Sequence, residues 1–159
     1  AFQEIRIVDR MKDSVKLKLS YLDIAGHPQS INFDLSLREK VLLSTEEKEI
    51  TNPYDQPKTK THTMNLTEIM AEKIRALAIR SLPRDLYDIW FLSKNNVKID
   101  RKIVEQKLAY YNKKLETQEI IEKINKIEQT WKRDLERLIR PVPSYGKVAA
   151  ETIKLLKNR

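Results

Sequence analysis

Two stretches of strict alternation open the chain. From 15 to 21, Val15, Leu17, Leu19 and Tyr21 fall on one side of an extended backbone and Lys16, Lys18 and Ser20 on the other. From 30 to 37, Ile31, Phe33, Leu35 and Leu37 alternate with Asn32, Asp34 and Ser36. Successive side chains of a strand point to opposite faces, so each stretch predicts a half-buried strand with its apolar members turned inward. The turn signal Gly26-His27-Pro28 between them predicts an antiparallel hairpin, with a loop longer than the tightest types. Residues 2–8 (FQEIRIV) add a further candidate strand. Residues 37–50 show no clear period, and Glu46, Glu47 and Glu49 there fit a short helix or an exposed loop. Residues 51–63, with two prolines, read as an extended connector. The division between a β-rich part, 1–64, and a helical part, 65–159, is placed there.

The period then changes to that of a helix. In NLTEIMAEKIRALAIRSLPRDLYDIWFLSKNN, residues 65–96, the positions Leu66, Ile69, Met70, Ile74 and Leu77 form one stripe. Asn65 and Glu68 resemble a capping box with an Asx cap. Lys73 falls inside the stripe and Arg80 on its edge, whereas Glu72 and Arg75 point elsewhere. Lys73 either snorkels, its stem buried and its ammonium in water, or meets a phosphate or carboxylate. Pro83 suits the first turn of a new helix capped by Ser81 or Leu82. Residues 86–92 are apolar nearly all round, which predicts a helix buried on most sides. Its narrow polar strip holds Arg84, Asp85 and Asp88. Acids in a first turn suit the helix dipole, and Arg84 can pair with Asp88 four residues on. Two acids and an arginine on the only polar strip of such a helix also suggest a lined cleft. Asp34 poses the same choice, a solvated aspartate or a functional acid, because Asp is a poor strand residue.

Asn95-Asn96 ends this helix. Another is expected over 99–111, with Ile103, Val104, Leu108 and Tyr111 inward, and one long amphipathic segment over 116–139, carrying Ile120, Ile124, Ile127, Trp131, Leu135 and Leu138. Pro141-Val142-Pro143 breaks the pattern before a last helix over 145–156.

Composition narrows the chemistry. With 34% charged and 40% hydrophobic residues in 159, the chain can bury a core. Two glycines argue against a glycine-rich phosphate loop. The absence of cysteine excludes disulfides and thiolate chemistry and fits a reducing cytoplasm. The two histidines, His27 and His62, stand far apart, without zinc-ligand spacing. No apolar run approaches a membrane span. The net charge of +8 fits a phosphate-bearing partner, nucleic acid first among them, or simply a solvated lysine-rich surface.

Glu72-Lys73-x-x-Ala76, then Arg80, then the run from Arg84-Asp85-Leu86-Tyr87-Asp88 to Leu92 resemble the late motifs of the AbiEii/AbiGii toxin nucleotidyltransferases. The likeness is strongest over 31–92. It implies an α+β architecture: part of an antiparallel sheet of the polymerase-β type, followed by a mainly helical C-terminal domain. It implies nucleotide transfer from an NTP to RNA, in some relatives to the 3′ end of tRNA, within a toxin–antitoxin or phage-defence pair, with Mg²⁺ as cofactor and a cognate antitoxin as counterpart. By the resemblance, Asp34 matches the family's third, metal-binding acid, Lys73 its helix lysine and Asp88 the second Asp of its R-D-x-x-D motif, and all three would be catalytic. Arg80, Arg84 and Asp85 would bind nucleotide or RNA, or orient the site. Such roles suit in-line displacement at phosphorus, where carboxylates hold divalent metal and a lysine offsets triphosphate charge.

One motif of the family is not found in the chain: Gly-Ser or Gly-Gly followed by Asp-x-Asp. Gly26 is followed by His27 and Gly146 by Lys147. The expectation is therefore the C-terminal part of a longer toxin, with the metal-binding pair before Ala1. The alternative is a non-catalytic, basic helical module that binds RNA or a cognate antitoxin. A chance motif in a structural helical protein would leave Lys73, Asp85 and Asp88 far apart and fully solvated.

Overall fold

The alternating segments form a three-stranded antiparallel sheet in the order β1-β2-β3, with β1 Phe2–Met11, β2 Ser14–Leu22 and β3 Pro28–Ser36. The computed structural model describes residues 2–37, 39–50 and 58–158. Asp23 closes the β2–β3 loop by accepting from the N–H groups of Ala25 and His27, both at 2.9 Å, and Gly26 supplies the positive φ of 81°. Register aligns Ile5 with Leu19 and Ile31, then Ile7 with Leu17 and Phe33. The apolar positions thus share rows across all three strands. They are not turned into a core as expected: Ile31, Phe33 and Leu35 are each more than 40% exposed. This sheet belongs to the unit Ala1–Lys40, whose described residues form no second layer to cover a face.

The second unit, Val41–Arg159, begins with another hairpin, β4 Glu46–Ile50 and β5 Thr59–Thr63. The glutamate run is therefore a strand rather than a helix or loop, and the last residues of the expected connector are its partner; residues 51–57 of that connector lie outside the described residues. Charge rather than apolar periodicity holds this hairpin: Glu47 pairs with Lys60 at 2.7 Å and Glu49 with Lys58 at 2.9 Å. The contact boundary after Lys40 groups this hairpin with the helices, whereas composition placed the division after residue 64.

Among the described residues six helices follow: α1 Leu66–Arg80, α2 Pro83–Lys94, α3 Arg101–Ala109, α4 Thr117–Lys126, α5 Trp131–Leu135 and α6 Tyr145–Lys157. Met70, Ala71, Ile74 and Leu77 of α1 form its buried stripe, while Leu66 is 40% exposed. Leu86, Ile89 and Leu92 of α2 meet Ile103, Val104 and Leu108 of α3, Ile120 and Ile124 of α4, Trp131 and Leu135 of α5 and Val148 of α6 in one core. Helix α2 is less enclosed than expected: Phe91 is half exposed, and Tyr87 and Trp90 are partly so.

The expected single helix over 116–139 is three pieces, α4, a 3-10 turn at Glu128–Thr130 and α5. Side chains compete for its carbonyls: Tyr145 Oη donates to Ile124 at 3.0 Å and Thr130 Oγ1 to Ile127 at 3.3 Å. The backbone answers with i→i+3 bonds at Ile127 and Thr130. Trp131, at the start of α5, donates its indole N–H to Pro143 and so draws in the proline segment that precedes α6.

Candidate active site

The site rests on the corner between α1 and α2. Asn65 caps α1, its side chain accepting from the Thr67 N–H at 2.8 Å. Ser81 ends the helix in the left-handed region, φ 53° and ψ 50°, with its N–H on the Leu77 carbonyl. Pro83 then starts α2 with a φ already suited to a first turn and no N–H to leave unsatisfied. This two-residue corner folds α2 back on α1 and brings acids of the second helix to cations of the first.

Two ion pairs cross the corner. Lys73 Nζ lies 2.6 Å from Asp88 Oδ2, and about a third of each side chain is exposed, 31% and 34%. Arg80 grips Asp85 with both ends of its fork, Nε to Oδ2 at 2.8 Å and Nη2 to Oδ1 at 2.7 Å. The Asp85 carboxylate is fully buried and Arg80 nearly half exposed. Donation to the Asp85 carboxylate holds the Arg80 guanidinium above its ordinary pKa, against burial. Arg84 is exposed, and its guanidinium has no ion-pair partner among the described residues. The sequence-based pairing of Arg84 with Asp88 is therefore replaced by Lys73 with Asp88. The polar strip of α2 is divided three ways: Asp85 inside, Asp88 at the surface boundary and Arg84 in solvent.

A second group of charges, of which Lys107 is not singled out from the sequence, braces α1 from behind. Glu68 is fully buried, and its two oxygens accept the N–H groups of Leu42 and Leu43, each at 2.8 Å. It does not reach back to the cap residue, so the expected capping box is half formed: Asn65 caps, and Glu68 is engaged elsewhere. Lys107 of α3, also fully buried, lies 2.6 Å from Glu68 and 2.8 Å from Glu72. Glu72 in turn pairs with Arg75 at 2.7 Å, and Arg75 lies 4.9 Å from the centre of the Tyr111 ring. Burial works to raise the Glu68 pKa, but Lys107 and the two N–H groups outweigh it and hold it below the ordinary value. Burial works to lower the Lys107 pKa, and Glu68 and Glu72 outweigh that. A signal for Lys107 was present: it follows Ile103 by four and Val104 by three, on the inward stripe of α3, as Lys73 sits on that of α1.

Asp34 belongs to the other unit. It lies exposed on β3, in register with Lys16 of β2. Among the described residues no three acids or histidines converge as a metal centre. A lone carboxylate facing a lysine position does not by itself meet the oxygen count magnesium requires, so the other ligands would have to come from further carboxylates, water or substrate phosphates.

These geometries stand beside three comparisons. The family profile described as "Nucleotidyl transferase AbiEii toxin, Type IV TA system" matches residues 1–153. Among solved structures, the chain is similar to JHP933 from Helicobacter pylori, with a TM-score of 0.59 and 15% identity, covering 98% of this chain and 62% of that one. It is also similar to a protein described as "putative nucleotidyltransferase from H. pylori", with a TM-score of 0.57 and 15% identity, covering 98% and 64%. At such identity the likeness shows the fold, an antiparallel sheet followed by helices. The chain spans less than two thirds of the length of either structure. No curated protein sequence matches.

Proposed function

Because the chain belongs to the AbiEii nucleotidyltransferase toxin family of type IV toxin–antitoxin systems, we propose that it serves the transfer of a nucleotide from an NTP to RNA, with the 3′ end of tRNA as acceptor. The observation that carries this reading is the Lys73–Asp88 pair at 2.6 Å. Its members come from the two family motifs, 15 residues apart in sequence and joined across the corner. A third of each stays open to solvent, so an incoming triphosphate can take over the ammonium.

In the transfer, the RNA hydroxyl oxygen forms a bond to the α-phosphorus while the bond to the β-phosphate oxygen breaks and pyrophosphate leaves. Lys73 offsets negative charge on the triphosphate, and Asp88 holds the ammonium at a fixed place until substrate arrives. Arg80, oriented by buried Asp85, retains N–H donors on its exposed side for a phosphate. Arg84, exposed on the same helix turn, supplies a second positive charge. Asp34 is assigned to the metal-binding set by the family motif alone. Asp34 would help to hold magnesium, which would supply positive charge to offset the charge that develops on the phosphates.

The test is transfer of radiolabelled nucleotide to total tRNA by the protein that carries this chain, with each of the four NTPs. Lys73→Ala and Asp88→Ala should each lower transfer by roughly 10²–10³, the cost of losing one preorganised electrostatic contact, with unchanged thermal melting. Wild-type protein that retains RNA yet labels none of it with any NTP would establish the non-catalytic binding module instead.

A further inference from the structure

A cavity of about 410 Å³ opens in the helical unit, and neither Lys73 nor Asp88 lines it. Its wall is made by helix ends rather than helix sides: the last turn of α2, the first of α3, the start of α4 and the last turn of α6. Asn96, in the left-handed region at φ 61°, belongs to the α2–α3 loop that lines this space. Its floor is apolar, with Ile74, Val104 and Leu156 buried beneath it and Val97, Leu115 and Leu155 partly so.

The rim is charged with one sign. Lys98 and Arg101 line it, and among the described residues no acidic one does. Lys98 has no ion-pair partner among the described residues. Arg101 uses one N–H, donated from Nη2 to the Leu156 carbonyl at 3.0 Å, and a guanidinium carries five. That bond also covers one of the carbonyls at the C-terminal end of α6, which would otherwise repel an anion. Elsewhere in this unit buried or half-buried cations meet carboxylates: Lys73, Arg80, Lys94 and Lys107 all do.

We propose that this cavity binds a small amphiphilic carboxylate, its hydrocarbon body on the apolar floor and its head between Lys98 and Arg101. The volume holds roughly a dozen non-hydrogen atoms at about 30 Å³ each, and pockets of this size with few polar groups are typical of small-molecule sites. The site is independent of the nucleotidyl-transfer reading, because none of its lining residues takes part in that chemistry.

Decanoate is the probe. In a ¹H–¹⁵N titration of the full chain, it should give saturable shifts confined to residues 93–104, 115–117 and 155–158. Decanol, the same body without charge, should bind at least tenfold more weakly, and acetate, the head without a body, not measurably. Lys98→Gln should weaken decanoate about tenfold while the melting temperature stays unchanged. Arg101→Gln should do the same, and because it also frees the Leu156 carbonyl its melting curve is read alongside. Shifts that stay linear in decanoate, or decanol binding as tightly as decanoate, would overturn the proposal. So would a Lys98→Gln protein that folds and binds undiminished.

Discussion

Lys107 is a charged side chain with no exposed surface, held between Glu68 and Glu72. Removing one member of such a pair leaves an uncompensated charge in a low-dielectric place, which costs about 3–5 kcal/mol. Lys107→Met should therefore lower the unfolding free energy by about that amount in urea titrations, although the substitution is apolar and of similar length. Arg80→Lys tests geometry instead. It keeps the charge but gives up the two-point fork on Asp85, so a buried carboxylate oxygen loses its donor; a loss of roughly 1–3 kcal/mol is expected by the same titration. At this scale the sequence was legible in identity and illegible in pairing. Lys73, Arg80, Asp85 and Asp88 stand out in the sequence as charges on or beside apolar stripes. Who meets whom depends on the left-handed residue Ser81, which no periodicity reveals. Glu68 was read as a capping partner because the rule weighs residues three apart, whereas its actual partners are 25, 26 and 39 positions away in the chain.

Among the elements, α1, α2, α3 and α6 were legible because each buries one stripe against the core, and burial imposes the period. The β4–β5 hairpin was not, because its cross-strand glutamate–lysine pairs carry no apolar signal. The break after α4 was hidden as well, since Ile120, Ile124, Ile127 and Trp131 continue a helical stripe and the interruption comes from the hydroxyls of Thr130 and Tyr145. The caps are testable at this level. Asn65→Ala removes the acceptor for the Thr67 N–H and should cost about 1 kcal/mol, seen as a lower melting temperature in circular dichroism. The same change also removes the Asn65 donor to Glu46 at 2.7 Å. Glu46→Ala removes that bond and leaves the cap in place, so the cap contribution is read from the difference between the two variants.

For the whole molecule, burial is distributed unequally. Every buried residue described lies in Val41–Arg159, and none lies in the three-stranded sheet. Residues 41–159 expressed alone should melt cooperatively with full helical signal, whereas 1–40 alone should show no transition, since three strands need a covered apolar face to be stable. A non-cooperative melt of 41–159 would contradict this division. Stability should also depend on pH in a stated way. Glu68 has a folded pKa below its ordinary 4.5, so its contribution is complete above that value and is lost as pH falls through the lower, folded one. Lys107 is shifted up from 10.5, so its contribution is complete below 10.5 and is lost as pH rises beyond it. The helical unit should hold a plateau between these limits, and Lys107→Met should flatten the alkaline side.

The brace behind α1 also limits how this protein can drift. Glu68, Glu72, Arg75 and Lys107 balance one another, two charges of each sign. A substitution at 107 alone is penalised, so descent should pass through paired exchanges with 68 or 72. The two partners are not equally replaceable. Position 68 must also accept two backbone N–H groups just past the start of the second unit, which no cation can do. Across related sequences an acid should persist at 68 while 72 and 107 vary together, and a set in which 68 changes freely would show that the brace is incidental.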